Sequence, residues 1–250
     1  MPDTRAPRLC VLIDADNVPA HYADVLFEEI ASLGEASVRR IYGDWSAQRL
    51  NRWAERVNTL GLVADQQFSN TKGKNASDIG LVIAAMDFLH SGLFDGFVLV
   101  SSDSDFTRLA ARIREQGLDV YGIGEKKTPE AFRMACKRFI YLENLTPEDK
   151  PDTTPRRPSA QVRSGDEPRS AQEKLPPAQA VPLITAAMWA IDPEGEWYSL
   201  GQIGQFITQA NPDFDTRTYG SAKLSDLMRG LPRFEVRPGP QGQLQARDIT

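Results

Sequence analysis

The sequence predicts an α/β protein: a parallel sheet covered by helices on both faces, followed by a smaller winged-helix unit. Three observations carry this prediction. Short Val/Leu/Ile-rich runs alternate with stretches of helical length over residues 1–146, the pattern of strands buried on both faces. A proline-rich segment without aromatics interrupts the chain at 147–178. The remainder, 179–250, reads as three helical segments and then two short strands, the order of a winged helix.

Each element has a local cause. "LCVLI" (9–13) is a short apolar run that stops at "DADN". "HYADVLFEEIASLG" places Val25, Leu26, Ile30 and Leu33 at helical spacing and ends on a glycine. "ASVRRIYGD" reads as a strand, "SAQRLNRWAERVNTLG" as a helix and "LVADQQF" as a strand. "ASDIGLVIAAMDFLHSG" is a strongly apolar helix with Ser77 placed to cap it. "GFVLVSS" is a buried strand, "DFTRLAARIREQG" a helix ending at Gly117, "LDVYGIG" a strand, and "PEAFRMAC" a last helix before "RFIYLEN". In the C-terminal unit, "AVPLITAAMWAID", "EWYSLGQIGQFITQAN" and "DTRTYGSAKLSDLMRGLP" read as helical. "RFEVRPGP" and "GQLQARDI" read as strands joined at "PGPQG".

Composition bounds the function. Of 250 residues, 41% are hydrophobic and 25% charged, ordinary values for a globular protein. The net charge of -5 excludes a global basic field, so a nucleic-acid partner needs a local basic patch. Cys10 and Cys136 each lie in an apolar segment and are read as buried thiols of a reducing cytoplasm. "MPDTRAPRL" lacks the apolar centre of a signal peptide, and no apolar run approaches the roughly 20 residues of a membrane helix. The expectation is a soluble cytoplasmic protein without a membrane partner.

Residues 147–178 hold seven of the 17 prolines, with six basic and six acidic side chains. Such a segment buries too little apolar surface to offset the entropy of ordering. It is read as a disordered linker between domains at 1–146 and 179–250.

The carboxylates carry the chemistry. Asp14 and Asp16 lie just past the first strand, and Asp103 and Asp105 just past the fourth. In an open parallel sheet, ligands bind outside the carboxyl ends of the strands. Asp78 sits in the first turn of an apolar helix. A helix-dipole contact explains Asp78 alone, but not acids at two strand ends as well. Carboxylates held together repel unless cations bridge them, and oxygen-only ligation suits Mg²⁺ or Mn²⁺. His21 and His90 are isolated and read as structural or surface residues. No Gly-rich phosphate loop follows the first strand, and Ser101 and Ser102 have no histidine in a triad pattern. Metal-assisted phosphoryl transfer or hydrolysis remains. Asp14-x-Asp16 also matches the nucleophile pair of a haloacid-dehalogenase phosphatase, although the "SSDSDF" helix start and the short chain fit that class less well. Asp16 is left as a second-layer or capping acid, and Asp87 falls about 180° around the helix from Asp78.

"LIDADN", "KNASDIGLVIAAMD" and "VLVSSDSDF", in this order, resemble the NYN domain of the PIN-like nucleases, in its LabA-like branch, over roughly residues 8–145. The resemblance implies a Rossmann-like sheet, Mg²⁺ or Mn²⁺ held by aspartates, and RNA hydrolysis. Matched residue by residue, the family's acids fall on Asp14, Asp78, Asp103 and Asp105. These are the expected catalytic and metal-binding residues. Asn17 matches the polar residue closing the first motif. Ser102 stands where the family often has glycine, and its hydroxyl can bond an aspartate or a phosphate. Both are expected on the RNA side of the site. Lys72 and Lys74 precede Asp78 in a Gly-bearing loop and are expected to contact phosphate. Arg49, Arg52 and Arg56 fall on one helix face, where a solvated surface and an RNA track are both open readings. Arg39 and Arg40 should point to opposite faces of their strand. Trp45 is read as packing rather than stacking on a base.

The C-terminal unit resembles the OST-HTH, or LOTUS, module, through "TYGSAKLSDLMRGLPRFEVR" and "GEWYSLGQIGQFITQANPDFD". That resemblance implies RNA binding, with protein partners in some members. Tyr219, Lys223 and Arg229 are the expected contacts, with Arg237 near the wing. Eight acids against six bases argue against strong nonspecific affinity. The leading reading is a metal-dependent ribonuclease with a tethered RNA-binding module. The alternative is a catalytically silent RNA-binding protein on a nuclease-like fold.

Overall fold

The computed structural model describes residues 5–46, 48–66, 76–145, 174–239 and 242–250. The N-terminal domain runs β1 (Arg8–Asp14), α1 (Ala23–Leu33), β2 (Glu35–Gly43), α2 (Asn51–Val57), β3 (Val63–Gln66), α3 (Ala76–Ser91), β4 (Gly96–Val100), α4 (Thr107–Glu115), β5 (Asp119–Gly124), α5 (Glu130–Ala135) and β6 (Arg138–Tyr141). The strands form one sheet in the order β3-β2-β1-β4-β5-β6, and every neighbouring pair is parallel. β1 and β4 are neighbours across the point where strand order reverses, which opens a crevice at their carboxyl ends.

Side-chain parity along β1 sorts the core into two layers. Leu9, Val11 and Ile13 pack with Leu26, Ile30 and Trp53 on the α1 and α2 side. Cys10 and Leu12 pack with Leu81, Leu109 and Phe132 on the side of α3, α4 and α5. β4 repeats the rule: Val98 and Val100 face the first layer, Phe97 and Leu99 the second. Arg39 and Arg40 obey it too, since one lies over Phe27 of α1 and the other over Phe88 of α3. Cys10 and Cys136 are buried free thiols, and burial pushes both up to about 12.

Glycines close the tightest approaches. A Cβ on Gly122 would lie 2.5 Å from Phe139 Cδ2 and 2.7 Å from Cys136 Sγ, so only glycine lets β5 and β6 carry that aromatic on this face. Gly117 terminates the α4 turn at φ +80°, a left-handed backbone favourable to glycine.

The C-terminal domain comprises α6 (Val181–Ile191), β7 (Tyr198–Ser199), α7 (Leu200–Ala210), α8 (Leu224–Arg229), β8 (Phe234–Pro238) and β9 (Leu244–Asp248). Its strands pair antiparallel in the order β7-β9-β8. Helices and hairpin share a core that includes Ile184, Ile203, Leu227, Phe234 and Ala246, consistent with a winged helix. Two helical expectations shorten. The helix expected from "EWYSLG" begins only at Leu200, because Tyr198 pairs with Ala246 of β9. The stretch expected as one helix at 215–230 is split: a 3-10 turn at Thr216–Tyr219 ends at Gly220, φ +77°, before α8 begins. Likewise the helix read over 46–61 is a 3-10 turn at Gln48–Leu50 followed by the seven-residue α2.

The two domains touch along β6. The outward N–H of Phe139, on this edge strand, donates to Pro212 O at 2.8 Å. Asp213 accepts from Tyr141 Oη at 2.7 Å and is paired with Arg133. Arg217 donates to Glu29 at 2.9 Å, and Asn144 Nδ2 to Thr218 Oγ1 at 2.9 Å. An exposed edge strand is thereby covered. Of the segment read as a linker, residues 147–173 lie outside the described residues, and Leu175 N–H donates to Thr218 O at 2.9 Å.

Candidate functional site

Parity decides which side chains meet at the crevice. Asp14 follows Cys10 and Leu12 onto the α3 side of β1 and is 1% exposed. Ser101, one residue past β4, follows Phe97 and Leu99 onto the same side and is also 1% exposed. Ser101 Oγ donates to Asp14 Oδ2 at 2.9 Å and accepts from Asp103 N–H at 3.1 Å. One hydroxyl thus joins the end of β1 to the turn after β4. Asn17 Nδ2 donates to the same Asp14 oxygen at 2.6 Å, and Asp16 N–H to Asp14 Oδ1 at 3.2 Å. A buried carboxylate ringed by donors stays tolerable without a counter-cation. Burial pushes the Asp14 carboxyl up, against the opposing effect of Asn17 and Ser101.

The turn after β4 carries two further acids outward. Asp103 caps it by accepting from Asp105 N–H at 2.9 Å, which holds the two carboxylates on one short 3-10 turn, Ser104–Phe106. Leu81, Ala85 and Leu89 seat α3 on the sheet, and its first turn then brings Asp78 alongside. One carboxylate oxygen from each of Asp78, Asp103 and Asp105 lies within 4.8 Å of the other two. Asp78 is pushed up to about 6, first by burial, then by the charges of Asp14, Asp103, Asp105 and Asp16. Like charges held this close are the arrangement a divalent cation relieves, and the all-oxygen donor set fits a hard ion.

The structure therefore gathers three of the four expected acids in one cluster. Asp14 is set behind them, joined through Ser101. Asn17 is committed to Asp14. Ser102 points the other way and accepts from Glu125 N–H at 2.9 Å, so its hydroxyl fixes the loop after β5. Ser101 is the residue that sequence reasoning misses, although the alternation from Phe97 and Leu99 signals it. Lys72 and Lys74 lie outside the described residues. Arg49 pairs with Asp16 at 2.8 Å and Arg56 with Asp24 at 3.0 Å, so these two members of the stripe answer acids of this domain. Trp45 packs against the core, its Nε1 donating to Asp65 O at 3.0 Å. In the C-terminal domain Tyr219 is half-buried against Phe214. Lys223 and Arg229 are exposed, and Arg229 pairs with Asp226 at 3.6 Å.

A doubly wound parallel sheet with carboxylates gathered at its switch point defines a Rossmann-like domain of nuclease-like design. The chain belongs to the NYN domain family, whose model matches residues 8–143, and an OST-HTH/LOTUS domain matches residues 174–245. Among solved structures, a crystal structure of a protein of unknown function from Vibrio parahaemolyticus is 18% identical. It covers 56% of this chain and 94% of that one at a TM-score of 0.47. A solution NMR structure of an uncharacterized Nitrosomonas europaea protein is 24% identical, covering 39% of this chain and 93% of that one at a TM-score of 0.26. No curated protein matches the chain. Among the described residues no helix is long and apolar enough to cross a membrane.

Proposed function

We propose that this protein is a divalent-cation-dependent ribonuclease. Asp78, Asp103 and Asp105 hold Mg²⁺ or Mn²⁺, Asp14 completes the negative field from behind, and the C-terminal module engages RNA. The observation that carries this reading is the three-carboxylate cluster within 4.8 Å at the carboxyl edge of β4. Burial first, and then the neighbouring carboxylates, push Asp78 up, so the ionised cluster is a poor arrangement for a protein site without a cation. Such an ion supplies a more acidic water and neutralises charge on the leaving oxygen.

The chain's own part is placement. Ser101 fixes the distance between Asp14 and the Asp103 turn. Asp103, by capping its own turn, keeps Asp105 from swinging away. Asn17 holds the Asp14 carboxylate in one orientation. Lys72 and Lys74, which precede Asp78 in the sequence, are the proposed phosphate contacts of the first domain, with Lys223 and Arg229 as the cations offered by the second. The buried free thiols of Cys10 and Cys136 fit a reducing cytoplasm.

The test is incubation of the purified chain with mixed RNAs in Mn²⁺, in Mg²⁺ and with chelator, beside Asp103→Asn. The parent is expected to cleave only with a divalent ion. The variant should lose about 10² or more in rate, roughly 3 kcal/mol in barrier, while RNA affinity persists or tightens as one repelling charge is removed. Equal cleavage by the variant refutes the role of Asp103. An inactive parent that still binds RNA replaces the enzyme by the binding-protein reading.

A further inference from the structure

The outer face of α6 carries a feature that RNA hydrolysis does not use. Ile184, Ala187 and Met188 face the domain core, and Trp189 stands 68% exposed on the opposite side. Trp189, Pro182, Thr185 and Ala186 share one helical stripe, which lines an open cleft of about 760 Å³ together with the 193–196 loop, Arg233 and Asp248. That volume is in the range of real ligand pockets.

The rim of the cleft is acidic and preset. Asp192, Glu194 and Glu196 fall within five residues, just beyond the carbonyl end of α6, where the helix dipole is negative. Tyr198 Oη lies 2.7 Å from Asp192 O and 2.6 Å from Gly195 O, its single O–H shared between the two carbonyls, which pins the loop. A Cβ on Gly195 would lie 3.1 Å from the Tyr198 ring, so the loop sits tight against it. Lining the cleft are three carboxylates, Glu194, Glu196 and Asp248, against one guanidinium, Arg233. Asp248 and Arg233 answer each other at 2.8 Å, and Glu196 takes Arg247 at 2.9 Å. Glu194 has no ion pair among the described residues.

The same domain shows what satisfies an indole on this surface. Trp197 has Arg237 at 3.5 Å and Arg247 at 4.9 Å from its ring centroid. Trp189 has no such cation among the described residues, yet carboxylates stand beside it. An apolar stripe, a bare indole and an uncompensated carboxylate together fit a guanidinium or ammonium next to an aliphatic side chain. They repel phosphate.

We propose that the α6 cleft is a docking site for a partner protein's basic, aliphatic-containing segment, whose cation stacks on Trp189 and pairs with Glu194. The proposal does not depend on ribonuclease activity. The probe is a short fluorescein-labelled peptide of alternating arginine and leucine, titrated by anisotropy into the full chain. Controls are the same peptide with glutamate for arginine, and a labelled RNA oligonucleotide. Trp189→Ser and Glu194→Lys are the variants. Both positions are exposed, and thermal melting verifies that the variants are folded. The arginine–leucine peptide is expected to bind, less tightly as salt rises. Its affinity should drop at least about fivefold in Trp189→Ser and at least about threefold in Glu194→Lys, and the glutamate peptide should not bind. Absence of binding, or equal affinity for parent and Trp189→Ser, overturns the proposal, the latter showing attraction to the net negative chain alone. RNA binding that is lost in Trp189→Ser overturns it in favour of an RNA-binding face.

Discussion

Replacing Asp78 with asparagine is expected to stabilise the metal-free protein while removing a residue of the candidate site. The carboxyl stands at 3.8 in its ordinary state and at about 6 in the fold. Folding therefore favours the protonated form, and ionising Asp78 costs stability. A difference of that size corresponds to at most about 3 kcal/mol. Asp78 is half-buried, so solvent screening reduces this to about 1–2 kcal/mol. The sign follows from the raised value. The contribution is fully favourable below about 3.8 and is lost as pH rises through about 6. The gain in Asp78→Asn should thus be complete at neutral pH and fall to roughly half near pH 5. For a chain of this size it appears as about 3–6 °C in Tm. The assay is thermal melting of parent and variant in chelator at both pH values, then with Mn²⁺. Added Mn²⁺ should raise the parent's Tm by mass action and raise the variant's less. A variant that melts at or below the parent at neutral pH in chelator refutes the claim that burial and the neighbouring acids make an ionised Asp78 costly to the fold.

Ser101→Ala removes the hydroxyl between Asp14 and the Asp103 turn. It should cost about 1–3 kcal/mol in stability and lower cleavage more through kcat than through KM, with partial rescue in Ser101→Thr. Equal kcat in the alanine variant shows that the bridge does not position the acids. Proteolytic nicking within 147–173 should leave two fragments that co-elute, because Arg217 ties the second domain to Glu29 of α1, Asp213 ties it to Arg133 of α5 and Tyr141 of β6, and Pro212 ties it to Phe139 of β6. Arg217→Ala combined with Asp213→Ala should let them separate. Separation of the fragments from the nicked parent refutes an interface that holds on its own.

Much of this arrangement is legible in the sequence for identifiable reasons. Near-continuous apolar runs such as "GFVLV" have no stable place except a strand covered on both faces, so the sheet follows from composition and spacing. The acids at 14, 103 and 105 stand where apolar runs end, and that alone places them at strand ends. The helix expected at Tyr198 fails because local spacing favours α7, whereas pairing with Ala246 comes from β9, nearly fifty residues away. The split at Gly220 is legible in principle, since glycine with positive φ is a common helix stop.

The sequence by itself determined most element types, the presence of two units and the acidic composition of the candidate site, because these depend on residue type and periodicity. The tertiary structure alone decided that β1 and β4 are neighbours, so that acids 89 positions apart, Asp14 and Asp103, share one hydroxyl. It decided that Ser101 rather than Ser102 faces the acids, and that Asn17 is spent on Asp14. It also decided that Arg49 and Arg56 answer Asp16 and Asp24, and that Trp189 is left in water while Trp53 is buried. Periodicity states that a side chain has a face. Which charge, which partner or which solvent lies across that face is set by chain segments distant in sequence, brought together when the sheet closes its order.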